Sequence, residues 1–185
     1  SMVMDITGEQ VTAMNAAVSL NKLLQISAGA VYTDDGEVLE FDIRHRYKVL
    51  REVIDESSQK VLIFVPFKHV IDILTDKLRG EGITTEVIRG DVPAHKRTSI
   101  FKDFQESVDP QVLVIQPQAA AHGVTLTAAN TVVWWGPTSS LETYDQANAR
   151  VHRSGQKHKS TVVQLQGSAA ERHVYKLLDK KINVH

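Results

Sequence analysis

Five short apolar runs rich in β-branched residues recur along the chain, and helix-like segments separate them. The runs occupy residues 61–65, 84–88, 112–115, 131–135 and 161–165. Strands that are apolar throughout are typical of a parallel sheet covered on both faces, and the intervening helices supply the crossovers that such a sheet requires. The sequence therefore predicts an α/β fold, a parallel β-sheet flanked by helices on both faces. Ligand-binding loops are expected at the carboxyl ends of the strands.

Apolar residues at helical spacing predict the helices between these strands. One covers Arg44–Glu56, one ends near Gly80, one begins at Pro93, and in the last Val174, Leu177, Leu178 and Ile182 share a face. Upstream, residues 10–24 indicate an amphipathic helix, and residues 33–36 indicate the turn of a hairpin. We therefore divide the chain into residues 1–43, a helix and hairpin that pack on or link to a preceding lobe, and the α/β domain of residues 44–185.

Two pairs of side chains match the capping box, in which a serine and a glutamate three residues later bond the first turn of a helix. Ser139 with Glu142 predicts the start of the helix that follows the fourth strand, and Ser168 with Glu171 predicts the start of the last helix.

Composition excludes several classes of protein. The chain has 42% apolar and 23% charged residues and a net charge of −1, so it should fold and has no overall attraction for polyanions. Its apolar runs are far shorter than the ~20 residues that cross a bilayer, which predicts no membrane partner and a cytoplasmic location. It has no cysteine, and its histidines lack the spacing of zinc ligands, so no structural metal is expected.

Charge is unevenly distributed along the sequence. Acidic residues gather early, at Asp34, Asp35, Glu37, Glu40 and Asp42. Basic residues and histidines gather late, at Arg150, His152, Arg153, Lys157, His158 and Lys159. A polyanion should therefore meet the later cluster.

Residues 146–156 read Gln-Ala-Asn-Ala-Arg-Val-His-Arg-Ser-Gly-Gln. If this segment is helical, Gln146, Arg150 and Arg153 share one face and Gly155 ends the helix. Arginine suits phosphate binding because its guanidinium is planar, always charged and forked toward oxyanions. We interpret the segment as half of a nucleotide-hydrolysing site. The alternative is a solvated basic helix end that complements the helix dipole.

Four segments together resemble a known family. They are Lys-Val-Leu-Ile-Phe-Val-Pro-Phe at 60–67, Arg-Gly-Asp at 89–91 with Arg97, Ala-His-Gly-Val-Thr-Leu at 121–126, and the segment 146–156. In this order they resemble the C-terminal RecA-like lobe of superfamily 2 helicases, which is similar to P-loop NTPases. The ending Arg-x-x-Arg-x-Gly-Gln resembles the SWI/SNF-like branch, and Trp135-Gly136 and His122-Gly123 look closest to its phage and prophage members. The resemblance covers about residues 45–183.

The resemblance implies roles for individual residues at an ATP site. Arg150 and Arg153 would be arginine fingers that stabilise the transferring phosphoryl group, and Gln146 would position the nucleotide or the water network. The nucleotide-binding candidates are Gly123, Thr125, Gly155 and Gln156. The loop departs from the family pattern, with Ala120-Ala121 where many relatives have glycines, and a simple strand-to-helix connector is the alternative.

The resemblance also implies contacts with the sugar-phosphate backbone of DNA, duplex more than single-stranded. The candidates are Phe67, Lys68, Arg89, Gly90, Asp91, Lys96, Arg97, Gln118 and His122. Trp134 and Trp135 suggest base stacking, but adjacent strand residues face opposite sides of a sheet, so at least one of them is expected in the core.

The sequence lacks Gly-x-x-x-x-Gly-Lys-Ser/Thr, and Asp55-Glu56 lies on a predicted helix instead of a metal-binding strand end. ATP and Mg²⁺ would thus be held mainly by an N-terminal RecA-like lobe of the same full-length chain, and residues 1–185 alone should be inactive. The expected setting is a bacterial or phage-infected cell. Two alternatives stay open: a non-catalytic nucleic-acid-binding module with a degenerate helicase fold, and a doubly wound enzyme acting on a small molecule.

Overall fold

All five apolar runs form strands of one sheet in the computed structural model, which describes residues 2–6, 9–13, 16–120 and 124–182. In chain order the strands are β1 (Met2–Ile6), β2 (Glu9–Ala13), β3 (Ala30–Tyr32), β4 (Val38–Glu40), β5 (Lys60–Phe64), β6 (Thr85–Ile88), β7 (Val112–Ile115), β8 (Ala129–Trp134) and β9 (Thr161–Gln164). The helices are α1 (Ala16–Ala28), α2 (Arg44–Glu56), α3 (Lys68–Gly80), α4 (Ala94–Glu106), α5 (Leu141–Asn148) and α6 (Ala169–Ile182). A short 3-10 helix covers Pro117–Ala120.

The main sheet has the order β6-β7-β5-β8-β9, and every pairing in it is parallel. Its central strand β5 aligns Phe64 with Ile115 of β7 and with Trp134 of β8. The carboxyl ends of the strands therefore meet at one edge. The predicted parallel sheet, flanked by helices, is confirmed.

Both faces of the sheet are covered. Leu62 and Phe64 pack in a cluster with side chains of α1, α4, α5 and α6, whereas Val61 and Ile63 pack with α2 and α3. The alternation follows from the period of two along a strand, which sends neighbouring side chains to opposite faces. Each face excludes water from a separate apolar layer, and this burial is the main force that holds the sheet and helices together.

The adjacent tryptophans show this alternation most clearly. Trp134 and Trp135 are both 0% exposed and belong to opposite clusters. The indole Nε1 of Trp134 donates to Oδ1 of Asn148 at 2.9 Å, and that of Trp135 donates to the carbonyl oxygen of Ala28 at 2.7 Å. The core placement predicted for at least one of them is confirmed for both, and neither ring is open to a nucleic-acid base.

The N-terminal segment differs from its prediction. Residues Glu9–Ala13 form a strand that pairs antiparallel with Met2–Ile6, and the helix begins only at Ala16. Val11 and Thr12 are β-branched and favour the strand, and the pairing with β1 satisfies their backbone groups. The predicted hairpin is confirmed, since β3 and β4 pair antiparallel around a turn in which Gly36 adopts a φ of 79°.

The start and end of α5 also differ from the prediction. Ser140, and not Ser139, is the N-cap: its Oγ accepts a hydrogen bond from the amide of Thr143 at 3.2 Å. The helix ends at Asn148, so Arg150 and Arg153 lie in the turns beyond it and not on its face.

The second capping pair is closer to its prediction. The amide of Glu171 donates to Oγ of Ser168 at 3.2 Å, as expected for the cap of α6. Val174 and Leu178 are buried on the inner face of this helix. Leu177, which the sequence predicts on the same face, is 45% exposed. At 100° per residue it lies well to one side of Leu178, beyond the stripe that the core covers.

Candidate functional site

Residues 149–156 form a series of turns after α5, which we call the arginine turn. The side-chain amide of Gln156 donates to the carbonyl oxygens of Ala129 at 2.8 Å and Val151 at 3.3 Å. The amide of Leu126 donates to the carbonyl oxygen of Arg150 at 2.9 Å. These bonds attach the arginine turn to the amino end of β8 and to the loop that precedes it.

Arg150 is the most enclosed cation of the arginine turn. Arg150 is 6% exposed, and its Nε donates to the carbonyl oxygen of Gln146 at 2.8 Å. Its Nη1 is buried and finds no hydrogen-bond partner among the described residues. Burial, and after it the charge of Arg153, lower the pKa of Arg150. A buried guanidinium with an open donor is an arrangement that an oxyanion would stabilise.

Arg153 lies at a surface cavity of about 420 Å³ that is also lined by Thr125, His152 and Ser154. Its Nε donates to the carbonyl oxygen of Ala149 at 3.2 Å, and its Nη1 lies 3.4 Å from Oγ1 of Thr125. A guanidinium and two hydroxyls at one cavity can donate several hydrogen bonds to one oxyanion. The structure thus brings Thr125, predicted to bind nucleotide, to one of the predicted arginine fingers.

The other nucleotide candidates have different surroundings. The Gln146 side chain is exposed and donates to Oε1 of Glu142 at 3.1 Å. The side-chain amide of Gln156 donates the hydrogen bonds that hold the arginine turn against β8. Gly155 has a φ of 98°, the left-handed conformation that glycine adopts without strain, so the tight turn expected there is present. Gly123 lies outside the described residues.

The candidates for nucleic-acid contact lie at the carboxyl edge of the main sheet. Phe67 and Lys68 follow β5, Arg89, Gly90 and Asp91 follow β6, and Gln118 follows β7 on the 3-10 helix. We call this edge the rim. His122 lies outside the described residues.

Ion pairs organise the cations of the rim. Lys68 Nζ lies 2.9 Å from Asp91, and Arg89 bonds both Asp91 at 2.9 Å and Asp72 at 2.5 Å. The hydrogen bond from Lys68 is the largest influence on Asp91 and lowers its pKa. Lys96, at the start of α4, forms no ion pair within the described part of the chain. A phosphate at this rim would therefore meet Lys96 directly but compete with carboxylates for Lys68 and Arg89.

The arginine turn and the rim are separate surfaces. The arginine turn is attached at Ala129, the first residue of β8, whereas the rim lies at the opposite ends of the parallel strands. β8 has six residues, and at about 3.3 Å per residue its two ends are roughly 16 Å apart. The predicted site residues thus form two groups.

Sequence reasoning missed a buried ion pair between Arg46 and Glu171. Two bonds of 2.6 Å join the guanidinium to the carboxylate, and Arg46 also donates to the carbonyl oxygen of Trp135 at 2.7 Å. Glu171 is 0% exposed and accepts a further bond from the amide of Gly167 at 3.0 Å. The pair joins α2, the end of β8 and the start of α6. The capping box identified Glu171, but nothing in the local sequence identifies a partner 125 residues away.

The described residues contain neither a membrane-spanning helix nor a metal site. No helix among them is long and apolar enough to cross a membrane. In the same part of the chain, no group of histidine and carboxylate side chains is arranged to hold a metal ion.

Comparison with known proteins agrees with the fold. The family described as helicase conserved C-terminal domain matches residues 45–155. An uncharacterized ATP-dependent helicase of Mycoplasma genitalium is 30% identical over 151 residues, covering 78% of this chain and 14% of that protein. A putative SWI/SNF-related matrix-associated actin-dependent regulator of chromatin of Arabidopsis thaliana is 29% identical over 137 residues, covering 70% of this chain and 15% of that protein.

Solved structures show the same fold. The C-terminal part of the Fun30 ATPase domain superposes with a TM-score of 0.67 at 24% identity, covering 72% of this chain and 45% of that one. The C-terminal domain of the DEAD-box protein Dbp5 superposes with a TM-score of 0.65 at 22% identity, covering 77% of this chain and 81% of that one. The main sheet and its helices are therefore a RecA-like domain of the kind found in helicase C-terminal lobes.

Proposed function

We infer the function of this chain from the premise that it belongs to the family of helicase conserved C-terminal domains. We propose that it is the second motor lobe of an ATP-dependent, DNA-stimulated helicase or translocase. In this proposal Arg150 and Arg153 act on ATP held, with Mg²⁺, by an N-terminal RecA-like lobe of the same full-length chain. Residues 1–43 pack on that lobe or link to it, and residues 1–185 alone do not hydrolyse ATP.

The observation that carries the proposal is the buried Nη1 of Arg150, which has no acceptor among the described residues. Leaving a buried donor unsatisfied costs about 1–3 kcal/mol, so such a donor is retained where it has an acceptor in the working state. A phosphoryl oxygen fits, because the guanidinium is planar and carries a full positive charge. Arg153 and the hydroxyl of Thr125 supply further donors at the adjacent cavity.

The chemistry expected of this site is charge stabilisation. Negative charge spreads over the oxygens of a transferring phosphoryl group, and an arginine finger contributes roughly 10³–10⁵-fold to the rate. This chain's part is to hold two guanidinium groups in place, Arg150 through Gln146 and Arg153 through Ala149. Because both groups sit on one lobe, hydrolysis would require the two lobes to close, which makes the reaction depend on conformation.

The rim is the proposed DNA surface. Lys96 and Arg97 at the start of α4 would contact phosphates directly, and Lys68 and Arg89 would exchange their carboxylates for phosphates when DNA binds. The name of the Arabidopsis relative supports a SWI/SNF-like motor, and duplex DNA is the substrate proposed for it here. A cytoplasmic location in a bacterial or phage-infected cell belongs to the same proposal.

The full-length parent protein provides the test. ATP hydrolysis is measured with and without duplex DNA for the wild type, Arg153→Ala and Arg172→Ala, the last an exposed arginine of α6 that serves as the matched control. We expect strong stimulation by DNA that is lost in Arg153→Ala and kept in Arg172→Ala. Binding of DNA without any hydrolysis would favour a non-catalytic nucleic-acid-binding module instead. A rate of ATP hydrolysis that changes neither when DNA is added nor in Arg153→Ala would contradict the proposal.

A further inference from the structure

The strand β6 forms one edge of the main sheet and, among the described residues, pairs only with β7. The carbonyl oxygens of Thr84 and Ile88 accept hydrogen bonds from residues at the two ends of β7. Because backbone groups alternate between the two sides of a strand, those of Thr85 and Val87 point away from the sheet. Outward N–H and C=O groups of this kind can pair with another chain.

An arginine covers half of this edge. Arg79 reaches from α3 and donates to the carbonyl oxygen of Thr85 through Nε at 3.0 Å and Nη2 at 2.8 Å. Its Nη2 also lies 3.8 Å from the carboxylate of Glu86. The guanidinium therefore lies over the edge at Thr85, as charged side chains do on many edge strands. No side chain of the described residues donates a hydrogen bond to Val87 in this way.

A groove runs along the same edge. Three adjoining cavities of about 330, 370 and 350 Å³ are lined by β6 together with α3, α4 or the loops next to them, and all three share Glu86. We call them together the edge groove. Thr85 and Val87 both line it, so a strand added to β6 would lie inside it.

The charge of the edge groove favours a basic occupant. Six carboxylates and three cationic side chains line the edge groove. Two of the cations, Arg79 and Arg89, are already engaged with carboxylates of the groove. Asp76, Asp103 and Lys96 form no ion pair with the described residues, which leaves negative charge in excess.

We propose that the edge groove binds an extended segment of a partner protein that carries lysine or arginine at alternate positions. The segment adds to β6 as a further parallel or antiparallel strand. Its backbone bonds the N–H and C=O of Val87, and it displaces Arg79 to reach Thr85. Backbone pairing of this kind supplies affinity, while alternate side chains entering the groove on either side supply specificity. This binding needs no ATP, but DNA bound at the rim would compete with it for Arg89, Asp91 and Lys96, which also line the edge groove.

A phage-displayed library of random dodecapeptides, selected on the immobilised 185-residue chain, tests the proposal. Enriched peptides are then measured on variants of the edge. Val87→Pro removes the outward N–H without touching a bond to β7, and Val87→Ala keeps it. Arg79→Ala removes the covering side chain, and Arg79→Gln removes the same charge but keeps a donor that can reach Thr85.

We expect enriched peptides rich in lysine or arginine at alternate positions. Val87→Pro should weaken their binding at least about tenfold, as the loss of backbone hydrogen bonds implies, and Val87→Ala should not. Arg79→Ala should bind them several-fold more tightly than Arg79→Gln. Hydrogen exchange at the Val87 amide should slow on binding in the wild type, a readout that stands even if Val87→Pro does not fold.

Three results would overturn the proposal. The first is that no peptide is enriched over phage that carry no peptide. The second is that enriched peptides bind Val87→Pro and Arg79→Ala as tightly as they bind the wild type. The third is that the Val87 amide exchanges equally fast with and without peptide. A dimer in sedimentation that Val87→Pro dissociates would assign the edge groove to a second copy of the chain instead of a partner.

Discussion

Arg150 is turned back onto the helix that precedes it: its Nε donates a 2.8 Å hydrogen bond to the carbonyl oxygen of Gln146, in the last turn of α5. One bond therefore fixes the direction of a guanidinium whose Nη1 has no partner among the described residues. A cation held in this way is poised for an external acceptor, and it contributes little to the stability of the isolated chain.

This relationship predicts that Arg150→Met separates stability from activity. The substitution removes one hydrogen bond but also a buried, incompletely paired charge, two effects that oppose each other. We expect the free energy of unfolding of the 185-residue chain to change by less than about 1 kcal/mol, whereas ATP hydrolysis by the full-length protein is abolished. Urea unfolding and an ATPase assay measure the two quantities.

Trp134→Ala is the contrasting variant, because Trp134 is fully buried and bonded to Asn148. It should lower the free energy of unfolding by about 3–5 kcal/mol. A loss of similar size in Arg150→Met would mean that Arg150 is a structural residue.

Glu171→Ala should be among the more damaging substitutions outside the apolar core. It leaves Arg46, whose side chain is 12% exposed, without its carboxylate, and removing one partner of a buried ion pair typically costs about 3–5 kcal/mol. The double variant Arg46→Met, Glu171→Leu should be less destabilised than Glu171→Ala, because no uncompensated charge remains. Urea unfolding of the two proteins decides between this account and a peripheral ion pair, for which both losses would be small.

The ion pairs of the rim should affect the titration of the Asp91 carboxyl group. The hydrogen bond from Lys68 is the main reason why the pKa of Asp91 is lowered, so Lys68→Ala should raise it toward its ordinary value. A carboxyl group with a lowered pKa stabilises the fold above its unfolded-state pKa, and this contribution is lost as the pH falls through the folded-state value. Carboxyl chemical shifts followed by NMR between pH 2 and pH 6, roughly two units either side of the ordinary value, measure the change. An unchanged Asp91 titration in Lys68→Ala would refute the pairing.

Lys96 and Arg97 should contribute to the salt dependence of DNA binding by the full-length protein. Each phosphate contact that is lost should reduce the slope of log affinity against log salt by about 0.9 for duplex DNA. We expect this change for Lys96→Ala and for Arg97→Ala, and none for Lys176→Ala on the exposed side of α6. Equal slopes for all four proteins would place the DNA elsewhere.

Much of the fold follows from local sequence, because fully apolar β-branched runs have few other uses. The helix Arg44–Glu56 and the strand Val112–Ile115 have the predicted bounds. The end of α5 could not be predicted in this way, since it is set by distant partners: Leu126 bonds Arg150, and Gln156 bonds Ala129. The cap of the same helix was misplaced because Glu142 lies three residues after Ser139, the spacing of a capping box, whereas the adjacent Ser140 caps the helix without a glutamate at that spacing.

For the site, the sequence identified the residue types and the structure supplied their grouping. Arg150, Arg153 and Thr125 come together at the amino end of β8, whereas Lys68, Arg89 and Asp91 come together at the rim. Their separation depends on the register of parallel strands, which no local pattern encodes. The partner of Glu171 was missed for the same reason, because Arg46 is far away in the chain.

The most direct test of the central claim separates catalysis from nucleotide binding in the full-length protein. Saturating turnover and ATP affinity are measured with duplex DNA for the wild type, Arg153→Ala, Arg153→Lys and Arg172→Ala. A group that acts on the transferring phosphoryl oxygens should lower turnover by about 10³-fold or more in Arg153→Ala. Affinity for ATP should change less than tenfold, Arg153→Lys should recover little, and Arg172→Ala should match the wild type. Turnover in Arg153→Ala within a few-fold of the wild type, or a loss confined to ATP affinity, would contradict the account.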